Sequence, residues 1–179
     1  MSNDYSCSFP FLDSHEFARA ASALIPRLQR AGLACRLSGP NECPDAVEFT
    51  VLRDTDHFTV RTQAHIVLSP VYALPTLYFV STLTDGLTSS TRAITLVDEL
   101  YKYTIPHSAQ PILEHSGIYG MSAVSQAENP ITNLIGFYVH PCRTGEVMQT
   151  INQDRPIPID EYLVVWFGII GSVLGVGLL

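Results

Sequence analysis

The end of the chain constrains the fold more than any other stretch. Tyr162 to Leu179 is a run of 18 residues without a single charge. As a straight helix it would be about 27 Å long, close to the roughly 30 Å hydrocarbon core of a bilayer. The run therefore predicts either a helix and apolar tail buried in a globular core, or a membrane anchor. Its glycines, the lack of flanking basic residues and the preceding acidic pair Asp160-Glu161 favour the buried helix.

The first predicted element is a helix from about Asp13 to Ala31. Asp13 can cap its N-terminus, and Glu16 stands three residues on, which is the spacing of a capping box. One apolar face recurs at helical spacing: Phe17, Ala21, Leu24, Ile25 and Leu28. We expect Pro26 to kink the helix or end its first part, and Gly32 to terminate it.

Strand-like segments follow this helix. They are predicted at Val47–Val51, at His57–Ala64 with an extension through Leu68, and at Thr76–Leu83. Asp54-Thr55-Asp56 and Thr84-Asp85-Gly86 are turn signals, whereas Pro70 and Pro75 bracket a break. Three strands joined by short connections predict an antiparallel meander.

The second half of the chain carries weaker signals. We predict a helix near Thr95–Tyr103 with Thr95 as its cap, and a long loop over Ile105–Gln126. A strand at Asn133–Val139 and a short helix at Arg143–Ile151 follow. Residues 1–179 are expected to form a single domain.

Charge and composition exclude several classes of protein. The chain is 46% hydrophobic, which is too apolar for a disordered protein. Its formal net charge is −7, and its nine arginines are scattered while Lys102 is the single lysine. Because no basic stripe could follow a phosphate backbone, we expect no nucleic-acid partner.

Four cysteines occur, at Cys7, Cys35, Cys43 and Cys142. The segment Met1–Asp13 has neither a basic nor an apolar region of the kind that begins a secretory signal. The cysteines are therefore predicted to be reduced thiols in the cytoplasm. No pair has C-x-x-C spacing and the histidines are dispersed, so we expect no metal site.

Cys142 stands directly after a predicted strand end. A thiol in this position can be partly exposed above a rigid backbone, as a nucleophile requires. The alternative is an ordinary buried cysteine, since cysteine is among the residues most often buried.

The residues around Cys142 give more specific information. The segment Tyr138–Met148, with His140-Pro141-Cys142 inside it, resembles the His-Pro-Cys active-site segment of the autophagy conjugating enzymes, an E2-like family. The stretch Leu74–Phe79 with Asp85-Gly86 resembles the strand and turn before that active site, and Tyr162–Gly175 resembles the final apolar segment. The resemblance implies an α+β, E2-like (ubiquitin-conjugating-like) fold. That fold has an N-terminal helix, an antiparallel meander, the active cysteine after a strand end and a C-terminal helix.

The resemblance implies covalent catalysis in two steps without metal or cofactor. Cys142 takes the C-terminal glycine of a ubiquitin-like modifier from an E1-like activating enzyme, and a lysine of an acceptor protein then attacks the thioester. One branch of the family transfers its modifier to a lipid amine and carries a long flexible insertion, which this sequence lacks. The chain resembles the other branch more closely, which implies autophagy-related protein twelve as modifier and autophagy-related protein five as acceptor.

The resemblance also implies supporting residues. Asn129 matches the family's oxyanion-donor asparagine, and Asn133 is the second choice. Tyr72 matches the family's catalytic tyrosine. The alternatives are a turn residue before Pro130 for Asn129 and an edge aromatic for Tyr72. His140 is either a base or a residue that orients the thiol. The cysteines other than Cys142 lie outside the matching stretches and are interpreted as structural.

Two competing functions stay open. In the first, residues 162–179 anchor a membrane-tethered binding module and Cys142 is structural. In the second, the chain is a cysteine hydrolase, although no Gly-x-Cys-x-Gly signature surrounds Cys142.

Overall fold

The computed structural model describes residues 9–39, 45–107, 110, 124–141, 144–153, 155 and 157–178. The helices are α1 (Ser14–Arg30), α2 (Val97–Glu99) with a π-helical continuation (Leu100–Thr104), α3 (Thr144–Ile151) and α4 (Ile159–Ile170) with a 3₁₀ turn (Gly171–Leu174). The strands are β1 (Ala34–Ser38), β2 (Ala46–Asp54), β3 (Phe58–Leu68), β4 (Pro75–Asp85), β5 (Thr91–Ala93), β6 (Val124–Glu128) and β7 (Ile135–Val139). The predicted α+β class is confirmed.

The seven strands form one antiparallel sheet in the order β1-β2-β3-β4-β7-β6, and β5 pairs separately with β4. The predicted meander is therefore present, with β1 as an additional edge strand. A buried row crosses the centre of the sheet, where Val47 pairs with Ile66 and Leu77 pairs with both Ile66 and Val139. The alternation of apolar residues along these strands places one face of the sheet in the core.

Helices α1 and α4 pack against each other beside the sheet. The capping box is present, because Asp13 Oδ1 accepts from the Glu16 amide and the Glu16 carboxylate accepts from the Asp13 amide. The apolar face of α1 is buried, and Phe167 of α4 meets Phe49 of β2 edge to face at 5.4 Å between ring centroids. Such aromatic pairs add to the stabilisation that burial of their area provides.

The uncharged C-terminal run is part of this core. Its buried side chains belong to α4 and the following turn: Tyr162, Leu163, Trp166, Phe167, Ile170, Val173 and Leu174. Arg53 of β2 links the end of the 3₁₀ turn to the π-helical segment, because it donates to the carbonyl oxygens of Thr104 at 2.6 Å and Leu174 at 3.3 Å. Among the residues that the structure describes, none belongs to a helix long and apolar enough to span a bilayer. The side chains that an anchor would give to lipid are packed against α1 and the sheet.

Four sequence expectations need correction. Of the two outcomes expected at Pro26, a kink or an end of the first part of the helix, the end is wrong, because α1 continues to Arg30. The missing proline N–H costs one helical hydrogen bond. Burial of Leu24 and Leu28 on either side of it stabilises the helix and offsets that cost. Thr95 is not a cap, because Leu96 precedes the first residue of α2 and makes no side-chain cap, while the Thr95 carbonyl accepts from Gln126 Nε2.

The predicted loop Ile105–Gln126 is the third correction, because its end already belongs to β6. Residues 108–109 and 111–123 of that loop lie outside the described part of the chain. The strand predicted from Asn133 begins at Ile135, since Asn133 adopts a left-handed φ of 56° in the preceding turn.

Gly136 allows β7 to approach β4 closely. A Cβ atom there would lie 2.7 Å from the carbonyl oxygen of Phe79 and 2.8 Å from Cγ2 of Val80. We expect Gly136→Ala to lower the free energy of unfolding by about 1–3 kcal/mol, because the strand pair must separate to admit the methyl group. Urea denaturation measures this loss.

Gly168→Ala is the matched control for Gly136→Ala. Gly168 lies in α4, and a Cβ atom added to it would meet no neighbouring atom of the described residues within 4 Å. Alanine there should raise stability by up to about 1 kcal/mol, since alanine favours helix more than glycine does. Equal effects of the two substitutions would contradict the close approach at Gly136.

Candidate active site

The structure brings Tyr72 and His140 together. His140 follows the last residue of β7, and Tyr72 lies in the connection between β3 and β4. Tyr72 Oη is 3.4 Å from Nε2 of His140, and the two rings meet edge to face with centroids 5.3 Å apart. A pair that the sequence separates by 68 positions is thus in contact, with Tyr72 partly exposed to solvent.

The connection that carries Tyr72 is a hydrogen-bonded turn. The Ser69 amide donates to the Leu74 carbonyl at 2.9 Å and the Ala73 amide donates to the Ser69 carbonyl at 2.8 Å. The Ala73 carbonyl accepts from the Leu12 amide at 2.9 Å, which ties the turn to the segment before α1. The backbone under Tyr72 is therefore held on two sides, and the break predicted between Pro70 and Pro75 is an ordered structure.

The aromatic rings of Tyr138 and Tyr78 pack in a row next to His140. Tyr138 and His140 are two residues apart, so their side chains leave the same face of the sheet. The Tyr138 ring lies 5.9 Å from the His140 ring and stacks on its cross-strand partner Tyr78 at 5.5 Å. Burial and the neighbouring Tyr138 raise the pKa of the Tyr78 hydroxyl above its usual range.

Cys142 itself lies outside the described residues, as do Arg143, Cys7 and Cys43. The residues on either side of it are placed. Pro141 is buried, and its carbonyl oxygen accepts from Thr144 Oγ1 at 2.8 Å, where α3 begins. The chain at Cys142 thus connects the end of β7 to the start of a helix, as the strand-end prediction requires.

Asn129 is not placed with Tyr72 and His140. It begins the turn between β6 and β7, at the end of β7 opposite His140, and is 1% exposed. Its Oδ1 accepts from the amides of Ile131 at 2.9 Å and Thr132 at 3.4 Å, and its Nδ2 lies 3.0 Å from Nδ1 of His65. This geometry supports the turn-residue alternative, and the role of Asn129 as an oxyanion donor stays a prediction.

Asn133, the second choice for that donor, lies in the same turn. Its backbone amide donates to the Asn129 carbonyl at 2.8 Å. It is exposed, and its left-handed φ of 56° suits an asparagine in a turn.

Sequence reasoning missed Tyr78, Tyr138 and His65. The two tyrosines lie inside the stretches that resemble the family but were given no role there, and His65 stands in an apolar stretch without a motif. Only the register of β3, β4 and β7 brings these side chains to one face of the sheet.

Cys35 has a different environment from that expected of a nucleophile. It is half-buried, its Sγ lies 3.7 Å from the Ile25 carbonyl, and burial raises the pKa of its thiol. These features agree with its interpretation as structural. Within the described ranges, the His, Cys, Asp and Glu side chains form no group of three or more that could hold a metal ion.

Comparisons with known proteins show the family to which the chain belongs. The family described as "Autophagocytosis associated protein, active-site domain" matches residues 16–178, so the chain belongs to that family. It is 31% identical over 116 residues to a protein of Arabidopsis thaliana named "Ubiquitin-like-conjugating enzyme ATG10", covering 62% of this chain and 47% of the relative. A Homo sapiens protein of the same name is 28% identical over 127 residues, covering 66% and 50%. The chain thus spans about half the length of the curated relatives it matches.

A solved structure shares the fold. The chain described as "Solution structures of KmAtg10" matches with a TM-score of 0.57 at 18% identity, covering 94% of this chain and 98% of the solved one. The predicted E2-like α+β fold, with its N-terminal helix, antiparallel sheet and C-terminal helix, is confirmed.

Proposed function

We propose that this chain is an E2-like conjugating enzyme of autophagy that carries a ubiquitin-like modifier as a thioester on Cys142. The observation that carries the proposal is the contact between Tyr72 and His140. His140 precedes Cys142 by two residues. This contact lies within a stretch that matches an active-site domain family. The relatives named as ubiquitin-like-conjugating enzymes support the same activity.

Two acyl transfers make up the proposed reaction. In the loading step, the Cys142 thiolate attacks the carbonyl carbon of the modifier's C-terminal glycine on the activating enzyme, and the activating enzyme's thiolate leaves. In the discharge step, an acceptor lysine amine attacks the Cys142 thioester, loses a proton and forms an isopeptide bond as the Cys142 thiolate leaves. Negative charge develops on the carbonyl oxygen in both steps, so a hydrogen-bond donor near Cys142 accelerates both.

Tyr72 is the donor that the geometry favours. Its hydroxyl is the polar end of a partly exposed side chain beside the chain segment that enters Cys142. In this role Tyr72 keeps its hydroxyl proton for the oxyanion, so His140 Nε2–H donates to the Tyr72 oxygen and orients the hydroxyl, while Tyr138 contacts the imidazole. We assign His140 the role of orienting the Tyr72 hydroxyl, which differs from the thiol-orienting role expected from the sequence. A pH profile of the reaction would reveal the alternative role as a base. The N-terminus of α3 two residues after Cys142 favours the thiolate.

The partners belong to the proposal as well. We propose an E1-like activating enzyme, autophagy-related protein twelve as modifier and autophagy-related protein five as acceptor, because the sequence resembles the branch that joins these two proteins. A cytoplasmic location fits this chemistry, since thiols stay reduced there.

A thioester assay tests the proposal. The chain is incubated with activating enzyme, ATP and both ubiquitin-like autophagy modifiers in competition. We expect one adduct that a thiol reductant removes, an ester-linked adduct that resists reductant or none for Cys142→Ser, and none for Cys142→Ala.

Cys35→Ala is the matched control, because Cys35 is also a cysteine of this chain but lies in β1 under the C-terminal half of α1. It should form the adduct at the wild-type rate. An adduct that survives in Cys142→Ala and disappears in Cys35→Ala would overturn the assignment of the nucleophile.

A further inference from the structure

A buried hydrogen bond ties the β6–β7 turn to a distant strand. Asn129 Nδ2 is 3.0 Å from His65 Nδ1, although β4 lies between β3 and β7 in the sheet. The turn therefore folds back over β4 towards β3. His65 is 6% exposed even though its neighbours Ala64 and Ile66 point into the helical core, because the turn covers it on the other face.

The hydrogen-bond pattern defines the proton state of His65. The Asn129 side-chain oxygen already accepts from the backbone amides of Ile131 and Thr132, so its nitrogen must face the histidine. An amide nitrogen only donates, and His65 Nδ1 must therefore be an acceptor with its proton on Nε2. A protonated imidazole would set one N–H group against another and break the contact.

The groups around His65 keep it neutral. Burial lowers its pKa below the ordinary histidine value, which the nearby Glu48 carboxylate of β2 opposes and Arg36 of β1 reinforces. Arg36 Nη2 holds the Glu48 carboxylate at 2.7 Å, and Tyr78 of β4 is the cross-strand neighbour on the remaining side. The pair with Asn129 thus forms in the protonation state that the surroundings favour.

We propose that His65 is a positioning residue of the active site: its neutral imidazole, acting through Asn129, holds the β6–β7 hairpin so that β7 presents His140 to Tyr72. Protonation of His65 releases the turn and loosens that presentation. The catalytic part of this inference rests on the proposed function, whereas the release of the turn does not.

The test compares wild type with Asn129→Asp. The aspartate keeps an oxygen for the turn amides and can only accept from His65. Its negative charge stabilises the protonated imidazole more than the neutral one. Single-turnover discharge of the Cys142 thioester is measured between about pH 5 and 8, where histidine titrates. Because the acceptor lysine titrates equally in both proteins, the ratio of variant to wild-type rate isolates His65, and we expect it to rise about tenfold towards acid pH.

Hydrogen exchange of the turn amides provides a readout that needs no catalysis. In wild type, protection at Ile131 and Asn133 should fall as the pH drops through the ordinary histidine pKa towards the lowered one, because the unfolded chain binds the extra proton more readily. In Asn129→Asp this trend should reverse. His57→Leu is the control, since His57 is an exposed histidine in the β2–β3 turn and should change neither readout.

The possible outcomes distinguish the positioning role of His65 from the proposed conjugating function. A flat rate ratio together with protection of the turn amides that does not change with pH would overturn the positioning role, as would Asn129→Asp losing discharge equally at every pH, which a direct oxyanion donor predicts. Absence of any thioester in wild type would refute the proposed function while the exchange trend still decides the His65 contact.

Discussion

Trp166→Ala should lower the free energy of unfolding by about 3–5 kcal/mol, a large part of the roughly 5–15 kcal/mol that a domain of this kind possesses. Trp166 is 1% exposed in α4, at the centre of the apolar run that ends the chain. Its indole N–H makes no hydrogen bond within the described structure, so the loss arises from packing and from the cavity left behind. Urea denaturation followed by circular dichroism measures it.

Two further variants keep this prediction decisive. If Trp166→Ala does not fold, Trp166→Phe should still fold with a smaller loss of about 1–3 kcal/mol. Leu87→Ala is the control, because Leu87 is 92% exposed and its truncation should change stability by less than about 0.5 kcal/mol. A loss below about 1 kcal/mol for Trp166→Ala would contradict core packing of the run and favour the membrane anchor.

The second large effect concerns the reaction. Tyr72→Phe should slow both loading and discharge by about 10²-fold, the loss typical of removing one oxyanion donor. The phenyl ring preserves the edge-to-face contact with His140, so only the hydroxyl is removed. Rapid-quench measurement of each step, with the modifier at saturating concentration, separates this loss from a change in binding.

The partnership with His140 is tested by a double variant. If His140 acts by orienting Tyr72, then His140→Ala combined with Tyr72→Phe should be little worse than the more damaging single change. Tyr103→Phe is the control, since its ring packs on Phe58, away from His140, and it should react at the wild-type rate. Multiplicative losses would instead show two independent roles and would favour His140 as a base.

Local signals account for the parts of the fold that were predicted well. The capping box of α1, the alternation in β2 to β4 and the glycine after α1 act over a few residues, and the structure contains each of them. Strands β1, β5 and β6 were missed because few of their residues are buried, whereas β7, which is as short as β1 and β6, was predicted. The residues of β5 are all exposed and those of β1 are exposed or half-buried, so no apolar alternation marks them.

The candidate site divides in the same way. Tyr72 and His140 were found through a family resemblance, and the structure shows that they touch. The sequence assigned no role to His65 or Tyr138, and their relation to the site depends on strand register and on a turn folded over β4. Asn129 was matched to the family's oxyanion donor by its position along the chain, but in the structure its side-chain amide contacts His65.

The amino-acid sequence alone determined helix α1, the central meander and the position of Cys142 after a strand, because these follow from side-chain patterns that repeat within one element. Only the tertiary structure decided whether the final apolar run is buried and which residues face His140 and Asn129. The contacts concerned join residues 64 and 68 positions apart. Their geometry follows from how the sheet, the helices and the β6–β7 turn pack together, and no short segment contains that information.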